Sequence, residues 1–172
     1  MNIFYLDRDP RVAAQMHCDE HCVKMVLETA QLLCTAHHVT GTGEEGMYKV
    51  THRNHPSALW VRSSSQHYKW TYSLFRELLT EFYHRRGKTH ASERLHPYVS
   101  VVPAIEDNGF KAPPQCMPDK YMGQDTVKAY RDYYLGDKAS FATWKWTRPS
   151  PVWWKDSALN QSGGDFELHQ IF

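Results

Sequence analysis

No stretch of this chain approaches the roughly 18–20 uninterrupted apolar residues that a membrane-spanning helix needs, so no membrane partner is expected. The opening MNIFYLDRDP lacks the basic-then-apolar pattern of a secretory leader, which points to the cytoplasm. Cysteine is sparse: Cys18, Cys22, Cys34 and Cys116 are the only four, and the first two stand one helical turn apart rather than in a CxxC pair. A disulfide framework is therefore not expected, and buried free thiols suit a reducing compartment. Net charge is nearly absent, at +1, so bulk electrostatics announce neither nucleic acid nor an anionic surface. Internal repeats and low-complexity runs are missing as well.

What the chain does have is apolar content, 41% of 172 residues, enough for the core of one domain spanning 1–172. It also carries 11 histidines, side chains that titrate near neutrality, ligate metals and bond phosphates. That excess is the first hint of function.

The apolar pattern predicts a mainly α fold: a compact helical bundle with two long N-terminal helices, an irregular proline-rich middle and C-terminal helices. Asp9 before Pro10 is a helix start, a capping carboxylate followed by proline at the first helical position. No proline or glycine interrupts the segment from Pro10 to about His38, and Val12, Val23, Val26, Leu27, Ala30 and Leu33 supply a buried face. VTGTGEEG then reads as a loop. The second helix is predicted from Pro56, capped by Asn54 or His55, to Arg86, with Gly87 ending it. Leu59, Trp60, Tyr68, Tyr72, Phe75, Leu78, Leu79 and Phe82 recur along it at threes and fours. A short helix fits Ser92 to His96, and prolines at 97, 103, 113, 114 and 118 make the middle irregular. Helical spacing returns from Asp125 to Trp146, broken at Gly136, and helix is expected to end before Pro149. The tail 157–172 is expected to fray or to dock through Phe166, Ile171 and Phe172.

On the first helix His17, His21, Lys24, Glu28 and Gln31 fall within an arc of roughly 80° at about 100° per residue. A wet face is the ordinary explanation of such a stripe. Its mixture of imidazoles, an amine, a carboxylate and an amide also suits acid–base chemistry, because opposite charges one or two turns apart perturb each other. The same histidines four apart, with Glu28 and with His52 and His55 from the next segment, could instead hold a transition metal.

The run D19-E-H-C-V-K-M-V-L-E28-T-A-Q-L-L resembles the first helix of the bacteriophage pyrimidine-dimer glycosylase family, the endonuclease V type, in which a histidine precedes the catalytic glutamate by seven residues. Here that pair is His21 and Glu28. The resemblance extends through N54-H-P-S-A-L-W60, H67-Y-K-W and E81-F-Y-H-R-R-G-K-T89, covering roughly residues 1 to 90. A129-Y-R-D-Y-Y-L-G-D-K-A-S-F-A-T-W-K145 is similar to uncharacterised phage proteins, which implies a phage origin. The family fold is a helical bundle in which the N-terminal amine attacks the sugar carbon of a damaged nucleotide to form an imine.

The resemblance thus implies a DNA-repair glycosylase and abasic-site lyase that acts on damaged pyrimidines in double-stranded DNA and needs no cofactor. Glu28 would stabilise the developing sugar cation, with His21 and Lys24 positioning it or a phosphate. The family exposes a small hydroxyl residue after methionine removal, whereas Asn2 follows Met1 here, so the amine would come from Met1 or Asn2. An α-amino group, with an unperturbed pKa of about 7.7–8.0, is partly neutral at physiological pH, as a nucleophile must be.

For DNA contacts, Arg85, Arg86 and Lys88, within the cluster His84 to Arg94, gather positive charge at the end of the second helix, and H52-R-N-H55 offers Arg53 and His55 as a further anion site. Cations at a helix C-terminus also complement its dipole. The aromatics from Tyr130 to Trp154 interleave with basic residues but at helical spacing read mainly as core, leaving Trp153 and Trp154 as a possible exposed wedge. The alternatives to the glycosylase reading are a metal-dependent enzyme using His17, His21, Glu28, His52 or His55, and a noncatalytic phage factor binding nucleic acid or protein.

Overall fold

The structure, a computed structural model, describes residues 1–164. It is a helical bundle with no strand among the described residues. Asp9 caps α1 (Pro10–Met16) by accepting the Arg11 N–H at 2.8 Å. The long first helix is nevertheless two helices, because the chain extends at His17 and Cys18 before α2 (Asp19–Val39) begins. No proline or glycine marks this break; distant partners hold it open. The Gln15 and His17 carbonyls accept from the Arg85 guanidinium at 3.1 and 2.8 Å, and the Met16 carbonyl from the Trp144 indole at 3.2 Å. Carbonyls that would otherwise end a helix unpaired are thus satisfied from outside it. Leu27, expected in the buried face, is 39% exposed.

The second long helix divides in the same way into α3 (Pro56–Ser63) and α4 (Ser65–Arg86). His55 is the cap of α3, its Nδ1 accepting the Ser57 N–H. At the break the Ser64 hydroxyl donates to the Gly109 carbonyl at 2.7 Å and accepts the Asn108 N–H at 3.0 Å, while the Ser65 N–H reaches the Glu106 carbonyl at 2.9 Å. Three residues of the proline-rich segment therefore stitch the interruption. Gly87 closes α4 at φ +64°, a left-handed conformation that glycine adopts without steric cost.

After a 3₁₀ turn at Ala91–Leu95 and the short α5 (His96–Val99), the chain runs irregularly, apart from a turn at Asp119–Tyr121, to α6 (Thr126–Leu135), capped by Asp125. Gly136 ends α6 where the Tyr121 hydroxyl packs so closely that a Cβ would collide with it. The second helical piece expected after Gly136 is a turn instead. Helix resumes past Pro149, contrary to expectation, as α7 (Val152–Gly164), so the start of the supposed tail is helical. Phe166, Ile171 and Phe172 lie outside the described residues.

The core threads all of this together. Ile3, Phe4, Tyr5 and Leu6 enter it as a non-helical, buried segment and join residues of α1–α4 and α6, among them Met25, Leu33, Tyr68, Phe75 and Tyr134. Trp153 and Trp154 are not an exposed wedge: Trp153 packs against Tyr134 and Met16, and Trp154 against Trp144. A buried ion network braces the same region. Arg85 pairs with Asp19 at 3.1 Å and Glu81 at 2.9 Å, and Glu81 also receives Arg148 at 2.8 Å. Burial raises the Glu81 pKa, but Arg148 and Arg85 outweigh it and hold the carboxyl below its ordinary value.

Candidate functional site

The non-helical N-terminal segment carries the Met1 amine to Glu28 on α2. Asn2 anchors it: its Nδ2 donates to the Cys116 carbonyl at 2.9 Å, and its Oδ1 accepts the Ile3 N–H at 2.8 Å. The Tyr130 hydroxyl shares its proton between Asn2 Oδ1 at 2.8 Å and the Pro114 carbonyl at 2.7 Å. So fixed, the Met1 nitrogen lies 3.8 Å from Glu28 Oε2, and Lys24 Nζ, one turn back on α2, lies 3.5 Å from Oε1. The Glu28 side chain is 13% exposed and that of Lys24 58%, so the carboxylate is half sheltered between two amines.

His55 belongs to the same group. Because its Nδ1 accepts a backbone N–H, the neutral ring carries its proton on Nε2 and can donate there. Its pKa is lowered by burial first, then by the Met1 amine and His52, with Glu28 acting in the opposite sense. A turn closed by the His55 N–H on the His52 carbonyl at 2.9 Å presents Arg53 to solvent. His52 itself sits at φ +46°, a strained conformation for a side-chain-bearing residue.

Other expected site residues are placed differently. His17 leaves the stripe because the helix breaks there; it is fully buried, Nδ1 on the Ala13 carbonyl at 2.7 Å and Nε2 unpartnered among the described residues. His21 does not stand beside Glu28 at the surface. It is buried, stacked on Phe4 with ring centroids 4.3 Å apart, and bonded through Nδ1 to the Tyr134 hydroxyl at 2.6 Å. Burial drives both imidazoles toward the neutral form, with pKa values of about 4 for His17 and about 3 for His21. Arg85, expected on a phosphate-binding surface, is sealed in the ion network. Lys24, Arg53, Arg86 and Lys88 are exposed.

No three His, Cys, Asp or Glu side chains among the described residues converge to hold an ion. Cys18 and Cys22 are buried free thiols, and burial pushes the Cys22 thiol up to about 12. The histidine excess is largely structural: besides His17 and His21, His37 bonds Thr42 and Tyr68, and His67 bonds the Trp60 carbonyl and the Lys111 N–H. Sequence reasoning missed Tyr130 as the anchor of Asn2, a contact across 128 positions with no local signal.

No family model, curated protein or solved structure matches the chain.

Proposed function

We propose that this chain is a DNA glycosylase and abasic-site lyase whose nucleophile is the Met1 amine and whose acid–base group is Glu28. The observation that supports this most is the 3.8 Å approach of that amine to Glu28 Oε2. In its neutral form the amine adds to C1′ of an open abasic sugar, and loss of water gives a protonated imine. The imine acidifies the C2′ hydrogen; a carboxylate takes that proton and the 3′ phosphate departs by β-elimination. On a damaged nucleotide, attack at C1′ expels the base first. Lys24, on the other carboxylate oxygen, keeps Glu28 paired when the amine is neutral. Exposed Arg53 and Lys88 are suited to backbone phosphates.

The test is borohydride trapping with duplex DNA carrying an abasic site or a pyrimidine dimer, the adduct being mapped by mass spectrometry. A reduced adduct at the Met1 amine is expected, its formation rate falling about 10²- to 10⁴-fold in Glu28→Gln, the usual worth of a general acid–base group. An adduct on Lys24 would move the nucleophile. Absence of any adduct or cleavage would overturn the enzyme reading and leave a binding factor.

A further inference from the structure

We infer that a second site beside this one binds a nucleotide, its base stacked on Trp146 and its phosphate held by Lys145 and Arg86. The inference goes beyond the amine chemistry, because binding here requires no reaction at Met1. A groove of about 480 Å³ lies between the first turns of α2, the end of α4 and residues 141–146, within the about 300–1,000 Å³ usual for small-ligand pockets. Val23 and Phe141 supply apolar lining, and Lys24, Arg86, Lys145 and Trp146 complete the walls used here.

Three observations favour a nucleotide. Trp146 alone of the six tryptophans is exposed, at 40%, although burying an indole is favourable and the others are buried or half-buried. Its ring is held by the Arg86 guanidinium, 4.4 Å over the centroid, which adds positive charge to an aromatic platform. The charge balance also favours an anion. Arg86 and Lys145 have no carboxylate within ion-pair distance among the described residues, whereas the Asp19 carboxylate in the wall is already committed to Arg85 and to the Lys145 N–H at 2.6 Å. Glu20 is the remaining acid of the lining.

The rim is built in advance of any ligand. The Asp19 N–H donates to the Thr143 carbonyl at 2.8 Å, so the segment leading to Trp146 is fastened to the start of α2. Lys24 both lines the groove and contacts Glu28, which makes the two sites contiguous.

The ligand could be a free mononucleotide or one unstacked nucleotide of a strand, and the experiment separates them. The full chain is titrated calorimetrically with dAMP and with deoxyadenosine, and by anisotropy with a labelled single-stranded oligonucleotide. Binding of dAMP, tighter than of deoxyadenosine, assigns a free nucleotide; binding of the oligonucleotide alone assigns a strand. In either case Trp146→Ala weakens binding about 5- to 150-fold, the range of base–aromatic stacking, and Trp146→Phe restores most of it. No binding in any arm, or equal binding by Trp146→Ala and the parent chain, overturns the inference. Nucleotide binding without a borohydride adduct would remove the amine reading and keep this one, and the converse pattern would do the reverse.

Discussion

Acid should unfold this protein through two buried imidazoles that play no part in the proposed chemistry. Burial lowers His17 to about 4 and His21 to about 3 from the ordinary 6.5. Between 6.5 and those values the unfolded chain binds protons that the folded chain refuses, so stability is full above about pH 6.5 and falls as the pH drops through that window. Each imidazole removes about 2 kcal/mol between pH 7 and 5, together about 4 kcal/mol, and by pH 4.5 the pair removes about 5 kcal/mol. That is comparable with the whole stability of many domains, about 5–15 kcal/mol. These two imidazoles contribute at most two protons to the slope, or about 2.7 kcal/mol per pH unit, and His37, His55, His67 and His90, which burial also lowers, add to it in the same direction. Glu81, held below its ordinary 4.5 by Arg148 and Arg85 against the opposing effect of burial, contributes stability that is lost only at still lower pH.

Urea titrations followed by circular dichroism at half-unit steps from pH 7.5 to 4.5 read this slope directly. His21→Phe keeps an aromatic ring to pack on Phe4 but removes the titrating group, and His17→Gln removes the titrating group at the second position while keeping a hydrogen-bonding side chain. Each should lower the slope by up to about 1.4 kcal/mol per unit, whatever it does to stability at pH 7. A parent protein whose unfolding free energy changes by less than about 1 kcal/mol between pH 7 and 5 would refute the reasoning. So would a His21→Phe variant with the parent slope.

Arg85→Met takes the charged partner from buried Asp19, leaves Glu81 with Arg148 alone and removes donors from the Gln15 and His17 carbonyls; a loss of about 3–5 kcal/mol is expected in urea melts. Gly87→Ala meets no atom within 4 Å, so its expected cost, about 1–2 kcal/mol, is that of the left-handed backbone alone. Tyr130→Phe frees Asn2 from one hydrogen-bond partner; stability should fall by about 1 kcal/mol and the rate of borohydride trapping at Met1 should fall with it.

Local chemistry was legible in the sequence where the cause of a structure is itself local. Asp9–Pro10 and Gly87 act through their own backbone and nearest neighbours, and both mark helix ends as expected. The breaks at His17–Cys18 and Ser64 were invisible because their causes lie far along the chain, in Arg85, Trp144, Glu106 and Asn108. A periodic pattern continues through a break, so the arc that seemed to align His17 with Glu28 assumed a helix that tertiary hydrogen bonds interrupt. His21 and Arg85 misled for a related reason: polar side chains read as wet unless a buried partner is known, and Tyr134, Asp19 and Glu81 become partners only on folding. Lys24 and Glu28, one turn apart on an unbroken stretch of α2, were legible as a pair.

The position of the amine depends on burial of the chain behind it. A chain end ordinarily frays, since ordering each residue costs about 1–2 kcal/mol of backbone entropy. Here Ile3, Phe4 and Leu6 are buried, each stabilising by about 1.5–3 kcal/mol, and Asn2 adds its hydrogen bonds to Cys116 and Tyr130. The balance favours a fixed segment, and Met1 is carried to Glu28 as its last residue. Register is then decisive. One glycine added before Met1 would turn the Met1 nitrogen into an amide and move the amine by up to about 3.8 Å, whereas loss of Met1 would draw it back onto Asn2, whose side chain is already pinned. The added glycine leaves the core untouched, whereas loss of Met1 removes a side chain that is 1% exposed and packs against it. The glycine-extended variant should melt with the parent and the Met1 deletion below it, while the borohydride adduct disappears in both, and an undiminished adduct in either would mean that a different nitrogen reacts.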